Sequence, residues 1–170
     1  MRSACFTGHR RITCDESDLK SRLYKVLERA VKDGNIINFY NGGAVGFDLL
    51  SAEVVLELRR KYPYITLNMI LPCPSYEQTS RWRSSQRERF FRILEQADSQ
   101  EIISEHYYDG CMRDRNYRLV ELADCCFCYW NGQGRTGTSQ TVRIAYQKKI
   151  EVLNFFEDSV EYPEQLSFEI

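Results

Sequence analysis

Histidine is nearly absent: His9 and His106 are the only two in 170 residues, too few for a histidine-rich metal site. Only four prolines break the chain, and no apolar run reaches the roughly 20 residues needed to cross a bilayer. The first residues, Met1 to Phe6, are too short an apolar stretch for a secretion signal. Charge of one sign is also lacking. The formal net charge is −1, which gives neither a basic field for nucleic acid nor an acidic tail. There is no Walker lysine motif, so P-loop NTP hydrolysis is not expected. Cys125 and Cys128 have C-x-x-C spacing but no second pair. In a strand, residues three apart point to opposite faces, so small buried hydrophobes are the expected role. The seven cysteines are an odd count that suits a reducing compartment, and a cytoplasmic location is expected.

What is present is a regular alternation. Short apolar runs begin at Ala4, Ile36, Ile65, Glu101, Cys125 and Glu151, and each is followed by a break. Helical periodicity fills most gaps. Leu19, Leu23, Val26, Leu27, Ala30 and Val31 share one helix face, with Thr13 and Glu16 at capping-box spacing upstream and Gly34 as the expected stop. A second helix is predicted from Phe47 to Tyr62. A long one runs from Tyr76 to Ala97, with Trp82, Gln86, Phe90, Ile93 and Leu94 as its stripe. Two more cover Met112 to Ala123 and the stretch after Gly137 to Lys149. Strand–helix alternation means a parallel sheet covered on both faces. The predicted fold is α/β, a single Rossmann-like three-layer domain over 1–155 with a mostly parallel sheet of about six strands. Residues 156–170 form a C-terminal arm.

In such sheets ligands bind beyond the carboxyl ends of the strands. Four loops there have unusual chemistry. After the first strand, Thr7-Gly8-His9-Arg10 offers a glycine for close approach and donors for an anion. After the second, Gly42-Gly43-Ala44-Val45-Gly46-Phe47-Asp48 opens a helix whose N-terminal N–H groups attract phosphate. Asp48 is placed either to favour the helix dipole or to hold a ribose hydroxyl. Asn116 falls on the buried stripe of the helix from Met112 beside Arg115, so it needs a partner from a loop backbone or a ligand. Gly132-Gln133-Gly134-Arg135-Thr136-Gly137-Thr138 is a second glycine turn, with Thr138 as N-cap or phosphate donor. Arg81, Arg83, Arg87, Arg89 and Arg92 read as a solvated helix face. Nothing near Cys73 lowers its pKa.

Taken in order, Phe6-Thr7-Gly8-His9-Arg10, Gly42 to Asp48, Leu71-Pro72-Cys73 with Gln78 and Trp82, Arg115-Asn116, and Gly137-Thr138 resemble the YpsA-like proteins. These belong to the SLOG superfamily, with DprA and the LOG (lysine decarboxylase-like) enzymes. The resemblance covers about 1–154. It implies a Rossmann-like fold, a bacterial cytosolic protein, and a pocket for a nucleotide-derived ligand such as NAD, ADP-ribose or another nucleotide. By position it implies Thr7, Gly8, Gly42, Gly43, Gly46, Asp48, Gly137 and Thr138 in that pocket, with Arg115 and Asn116 beside it. LOG enzymes carry a glutamate three residues after the threonine of their P-G-G-x-G-T segment; here that place is Thr141, and Gln133-Gly134-Arg135 replaces the proline and paired glycines. N-glycoside cleavage wants a carboxylate near the sugar.

The expected function is therefore binding or sensing of a phosphate-bearing, nucleotide-like small molecule. A nucleotide hydrolase using Asp48, Glu77 or Asp114 is the first alternative. DprA-like single-strand binding is the second, disfavoured by the charge. Self-association through the exposed face of the helix from Tyr76 is compatible with the pattern.

Overall fold

Ala4, Cys5 and Phe6 are completely buried because their strand lies in the middle of the sheet, covered on both faces. The computed structural model describes residues 1–157. Six strands appear: β1 (Arg2–Gly8), β2 (Ile36–Asn41), β3 (Thr66–Leu71), β4 (Ser99–Ile102), β5 (Cys125–Tyr129) and β6 (Glu151–Asn154). All pair in parallel, in the order β4-β3-β2-β1-β5-β6. The chain builds outward from β1 to β4, then returns to place β5 against the other side of β1. The order reverses between β1 and β5, and there the loops after neighbouring strands lead away to opposite faces of the sheet, opening a crevice at their carboxyl ends.

Helices α1 (Glu16–Lys32), α2 (Phe47–Lys61) and α4 (Ser84–Gln96) cover one face, α5 (Cys111–Glu121) and α6 (Gly137–Gln147) the other. The first face holds the larger core, with Phe6 and Phe39 stacked at 6.0 Å and Phe127 and Phe155 alongside. Cys125 packs on that side and Cys128 on the other, as strand alternation requires. Residues 158–170, most of the expected arm, lie outside the described residues. Among the described residues no helix is long and apolar enough to cross a membrane.

Several local expectations are corrected. The N-cap of α1 is Asp15, whose carboxylate accepts from Asp18 N at 2.8 Å, rather than Thr13. Thr13 instead bonds the Tyr129 hydroxyl. The left-handed residue after α1 is Asn35 (φ 52°), not Gly34, and asparagine tolerates that conformation. The predicted helix from Tyr76 to Ala97 is two pieces, α3 (Ser75–Gln78) and α4. Arg83 is extended, and Gln86 turns back to accept the Arg83 N–H at 3.0 Å, so Gln86 serves as a cap and not as part of a buried stripe. The β4 strand begins two residues earlier than its apolar content suggests, because Asp98 N already bonds Leu67 O at 2.8 Å.

Candidate functional site

The crevice between β1 and β5 opens into a cleft of about 470 Å³. Thr7, Gly8, His9 and Arg10 form its floor, Ala44 and Asp48 one side, Arg115 and Asn116 another, and Thr136, Gly137 and Thr138 the far wall. Thus Thr7, Gly8, His9, Arg10, Ala44, Asp48, Arg115, Asn116, Gly137 and Thr138 come together as expected. Gly42, Gly43, Gly46 and Gly134 do not line the cleft.

The reason lies in what each glycine faces. A Cβ on Gly42 would sit 2.2 Å from Arg115 Nη1, one on Gly43 would meet Phe90 at 2.7 Å, and one on Gly46 would meet the Arg10 carbonyl oxygen at 2.4 Å. These glycines let protein loops interlock; they do not leave room for a ligand. Three N–H groups of this turn are also spent internally. Gly43 N donates to Asn41 Oδ1 (2.8 Å), Ala44 N to Asp48 Oδ2 (3.1 Å) and Phe47 N to His9 O (3.2 Å). The three glycines at the head of α2 therefore serve contacts within the protein, and of this turn Ala44 and Asp48 line the cleft. Gly134 sits in the exposed part of its loop, where its φ of 81° serves the turn.

The head of α6 is different. Its N-cap is Thr136, not Thr138: Thr136 Oγ1 accepts from Ser139 N at 3.1 Å, and Ser139 Oγ accepts from Thr136 N at 2.9 Å. Gln140 N makes the first turn-closing bond to Thr136 O, which leaves the N–H groups of Gly137 and Thr138, two residues that line the cleft, without an acceptor among the described residues.

Arg115 and Asn116 are both buried and join the two turns. Arg115 Nη1 donates to Gly42 O (2.6 Å) and its Nε to Asn116 Oδ1 (2.9 Å), while Asn116 Nδ2 reaches Gly137 O (3.5 Å). The loop-backbone role foreseen for Asn116 is thus present. His9 is also committed in part: its Nε2 lies 3.0 Å from Asn131 N and 3.1 Å from Asn131 Oδ1.

Asp48 is the unusual group. It is only 4% exposed, Oδ2 takes the Ala44 N–H, and Oδ1 has no partner among the described residues. Burial pushes its pKa up to about 6, against the opposing pull of the Arg115 and Arg10 charges and the Ala44 N–H. The other two acid candidates have partners in the protein. Glu77 lines the adjoining cavity, where it accepts from Tyr107 N (2.7 Å) and pairs with His106, and Asp114 accepts from the Tyr108 hydroxyl and lines neither cavity. Thr141, at the place of the LOG glutamate, donates to Gly137 O at 2.9 Å.

A second cavity of about 620 Å³ continues from the first, sharing Arg10, Ala44, Met112 and Arg115 with it. Tyr76, Gln78, Trp82 and Tyr107 line it. Glu77 and Arg81 line it as well; of these residues Glu77, Gln78, Arg81 and Trp82 stand out in the sequence, while Tyr107 does not. Topology carries a signal for the rest, since the Pro72-Cys73-Pro74 break ends β3 at the same sheet edge.

The YspA SLOG family profile matches residues 9–160. The chain belongs to this family. Curated relatives include a UPF0398 protein of Halalkalibacterium halodurans, 31% identical over 119 residues (69% of this chain, 59% of that protein). A UPF0398 protein of Bacillus cereus is 27% identical over 139 residues (81% and 73%). Among solved structures, DNA processing protein A (DprA) of Streptococcus pneumoniae superposes with a TM-score of 0.62 at 14% identity, covering 90% of this chain and 50% of that one. The structural-genomics target TM1055 gives 0.55 at 18% identity, covering 89% and 72%. At these identities the two structures show the shared Rossmann-like fold. The chain spans little more than half the length of the first relative and half that of DprA.

Proposed function

We propose that this YspA SLOG protein binds a phosphate-bearing, nucleotide-derived ligand in the cleft between β1 and β5. The observation that carries this reading is the buried Asp48 carboxylate with an unpartnered oxygen, set across the cleft from the open N–H groups of Gly137 and Thr138. A phosphate belongs at the α6 end, where two N–H donors, the helix dipole and the Thr138 hydroxyl meet. Arg10, which has no carboxylate partner among the described residues, adds a cation at the rim. A sugar hydroxyl donating to Asp48 Oδ1 would satisfy the orphan acceptor. Acidic and basic poles at opposite ends of one cleft suit a sugar phosphate and suit neither a bare anion nor a bare cation.

The test is thermal unfolding against NAD, ADP-ribose, AMP, ATP and GTP, beside Gly137→Asp. A Cβ at Gly137 has room, its nearest neighbour being Asn116 Nδ2 at 3.7 Å, and an acidic residue in the first turn favours the helix. The variant therefore folds, but sets a negative charge where the phosphate would sit. At a hundredfold excess over Kd a ligand stabilises the native state by about 2.7 kcal/mol. A shift that vanishes in Gly137→Asp supports the reading, and no shift with any member of the panel sinks it.

A nucleotide hydrolase is the second reading, favoured by one fact. Asp48, titrating at about 6, is a carboxyl able to exchange a proton near neutral pH beside the sugar position. Turnover of the same panel, abolished in Asp48→Asn with binding retained, would establish it; binding without turnover would leave a sensor.

A further inference from the structure

Gln78 lies at the junction of the cleft and its extension. It is only 8% exposed. Its Nε2 faces two carbonyl oxygens, Gly42 O and Gly43 O, both at 3.3 Å. Two acceptors on one side of an amide settle which end is nitrogen, because the flipped form would set oxygen against oxygen. Oε1 is therefore committed to the other side, where it has no partner among the described residues. An amide oxygen shielded from water and left unpaired is costly unless something donates to it.

Around it the extension is aromatic where solvent should discourage aromatics. Tyr76 is 66% exposed and Tyr107 59% exposed, both on the lining. Trp82 is held edge-on against Phe90 at 5.5 Å. Tyr107 is not there by chance of a loose loop, since Glu77 on α3 accepts its backbone N–H and also binds His106. The loop is tied down so that the tyrosine stays over the cavity.

Building on the sugar-phosphate reading above, we propose that this extension is a base subsite: a planar heterocycle stacks against Tyr76 and Tyr107 and donates an N–H to Gln78 Oε1. The ligand class is then a nucleoside phosphate with an amine, amide or ring N–H on its base, recognised at three points. Phosphate lies at the head of α6, ribose at Asp48, base at Gln78. The shared wall of Arg10, Ala44, Met112 and Arg115 makes the two cavities one continuous trough.

The experiment compares ribose 5-phosphate with AMP, GMP, CMP and UMP by calorimetric titration, in the wild type and in Tyr76→Ala and Tyr107→Ala. Both tyrosines are exposed, so both variants fold. At least one nucleotide is expected to bind ten or more times tighter than ribose 5-phosphate. Each tyrosine variant should weaken it about tenfold, as loss of a stacking partner does, and leave ribose 5-phosphate unchanged. Removing the N–H from the preferred base (purine riboside 5′-phosphate, where the base is adenine) should cost about five- to tenfold. Ribose 5-phosphate binding as tightly as every nucleotide overturns the base subsite and leaves the sugar-phosphate site standing. Tighter nucleotide binding that ignores both tyrosine variants overturns it as well. If neither ribose 5-phosphate nor any nucleotide binds, the sugar-phosphate reading falls and takes the base subsite with it.

Discussion

Asp48→Asn should change how stability depends on pH, and the sign follows from burial. In the folded chain the Asp48 carboxyl titrates at about 6, against an ordinary value of 3.8. Between those values the native state holds a proton that the unfolded state has released. Stability from this group therefore falls as pH rises through the window and levels off above about 6. At about 1.4 kcal/mol for each tenfold change, the ionised carboxylate costs the native state about 3 kcal/mol at neutral pH. Asparagine keeps an oxygen for the Ala44 N–H and never charges. Urea unfolding at pH 4, 5, 6 and 7.5 should show a gap between variant and wild type that widens in favour of the variant by about 2.4 kcal/mol over that range, with little change above pH 7. Parallel curves would refute the claim that a buried carboxylate is charged here at cost. The same group links to binding. A ligand hydroxyl donating to Oδ1 favours the ionised form, so binding near pH 5.5 should release a proton, seen as a dependence of binding heat on the buffer's ionisation enthalpy.

Two further outcomes concern the turns. Thr136→Ala removes the acceptor for Ser139 N and should cost about 1 kcal/mol, a fall in Tm of about 2–4 °C, together with weaker phosphate binding at the loosened first turn. Gly42→Ala must push the Arg115 guanidinium off Gly42 O and should cost about 2–3 kcal/mol in urea unfolding. Gly134→Ala meets only its positive φ and should cost about 1 kcal/mol; equal costs would mean that the Gly42 contact is not tight.

The architecture was legible because periodicity and breakers report a backbone that each element must satisfy by itself. Leu19 to Val31 repeat at helical spacing, and Asn41-Gly42-Gly43 cannot continue a strand. The strand–helix order then placed the site at one sheet edge, where Thr7, Asp48, Arg115 and Thr138 do meet. What failed to read was anything set by a partner distant in sequence. A glycine shows that a side chain is missing and does not show what fills the space. Gly42, Gly43 and Gly46 looked like ligand-facing glycines, yet they face Arg115, Phe90 and the Arg10 carbonyl. Gln86 has the right spacing for a buried stripe with Trp82 and Phe90, and only the turn at Arg83 shows that its side chain folds back as a cap. The raised pKa of Asp48 was equally invisible, because helix-capping carboxylates of the same spacing are usually solvated.

Arg115 ties these observations together, and its removal gives a test that a single contact could not. Its guanidinium bonds the first turn at Gly42 O and, through Asn116, the second at Gly137 O, and it is the leading charge that opposes the burial penalty on Asp48. Arg115→Met keeps most of the volume and removes the charge. The Asp48 carboxyl then loses that opposing pull and should titrate above 6. The variant should be destabilised more at pH 8 than at pH 5, since only the ionised carboxylate misses its cation. Adding Asp48→Asn should erase that pH-dependent part and leave a pH-independent remainder from the lost Gly42 and Asn116 bonds. A double-mutant cycle at the two pH values separates the parts. Equal destabilisation at pH 5 and pH 8 would mean that Arg115 serves only as a staple between loops. A difference that Asp48→Asn abolishes would show that the residue joining the two turns also sets the charge state of the carboxylate between them.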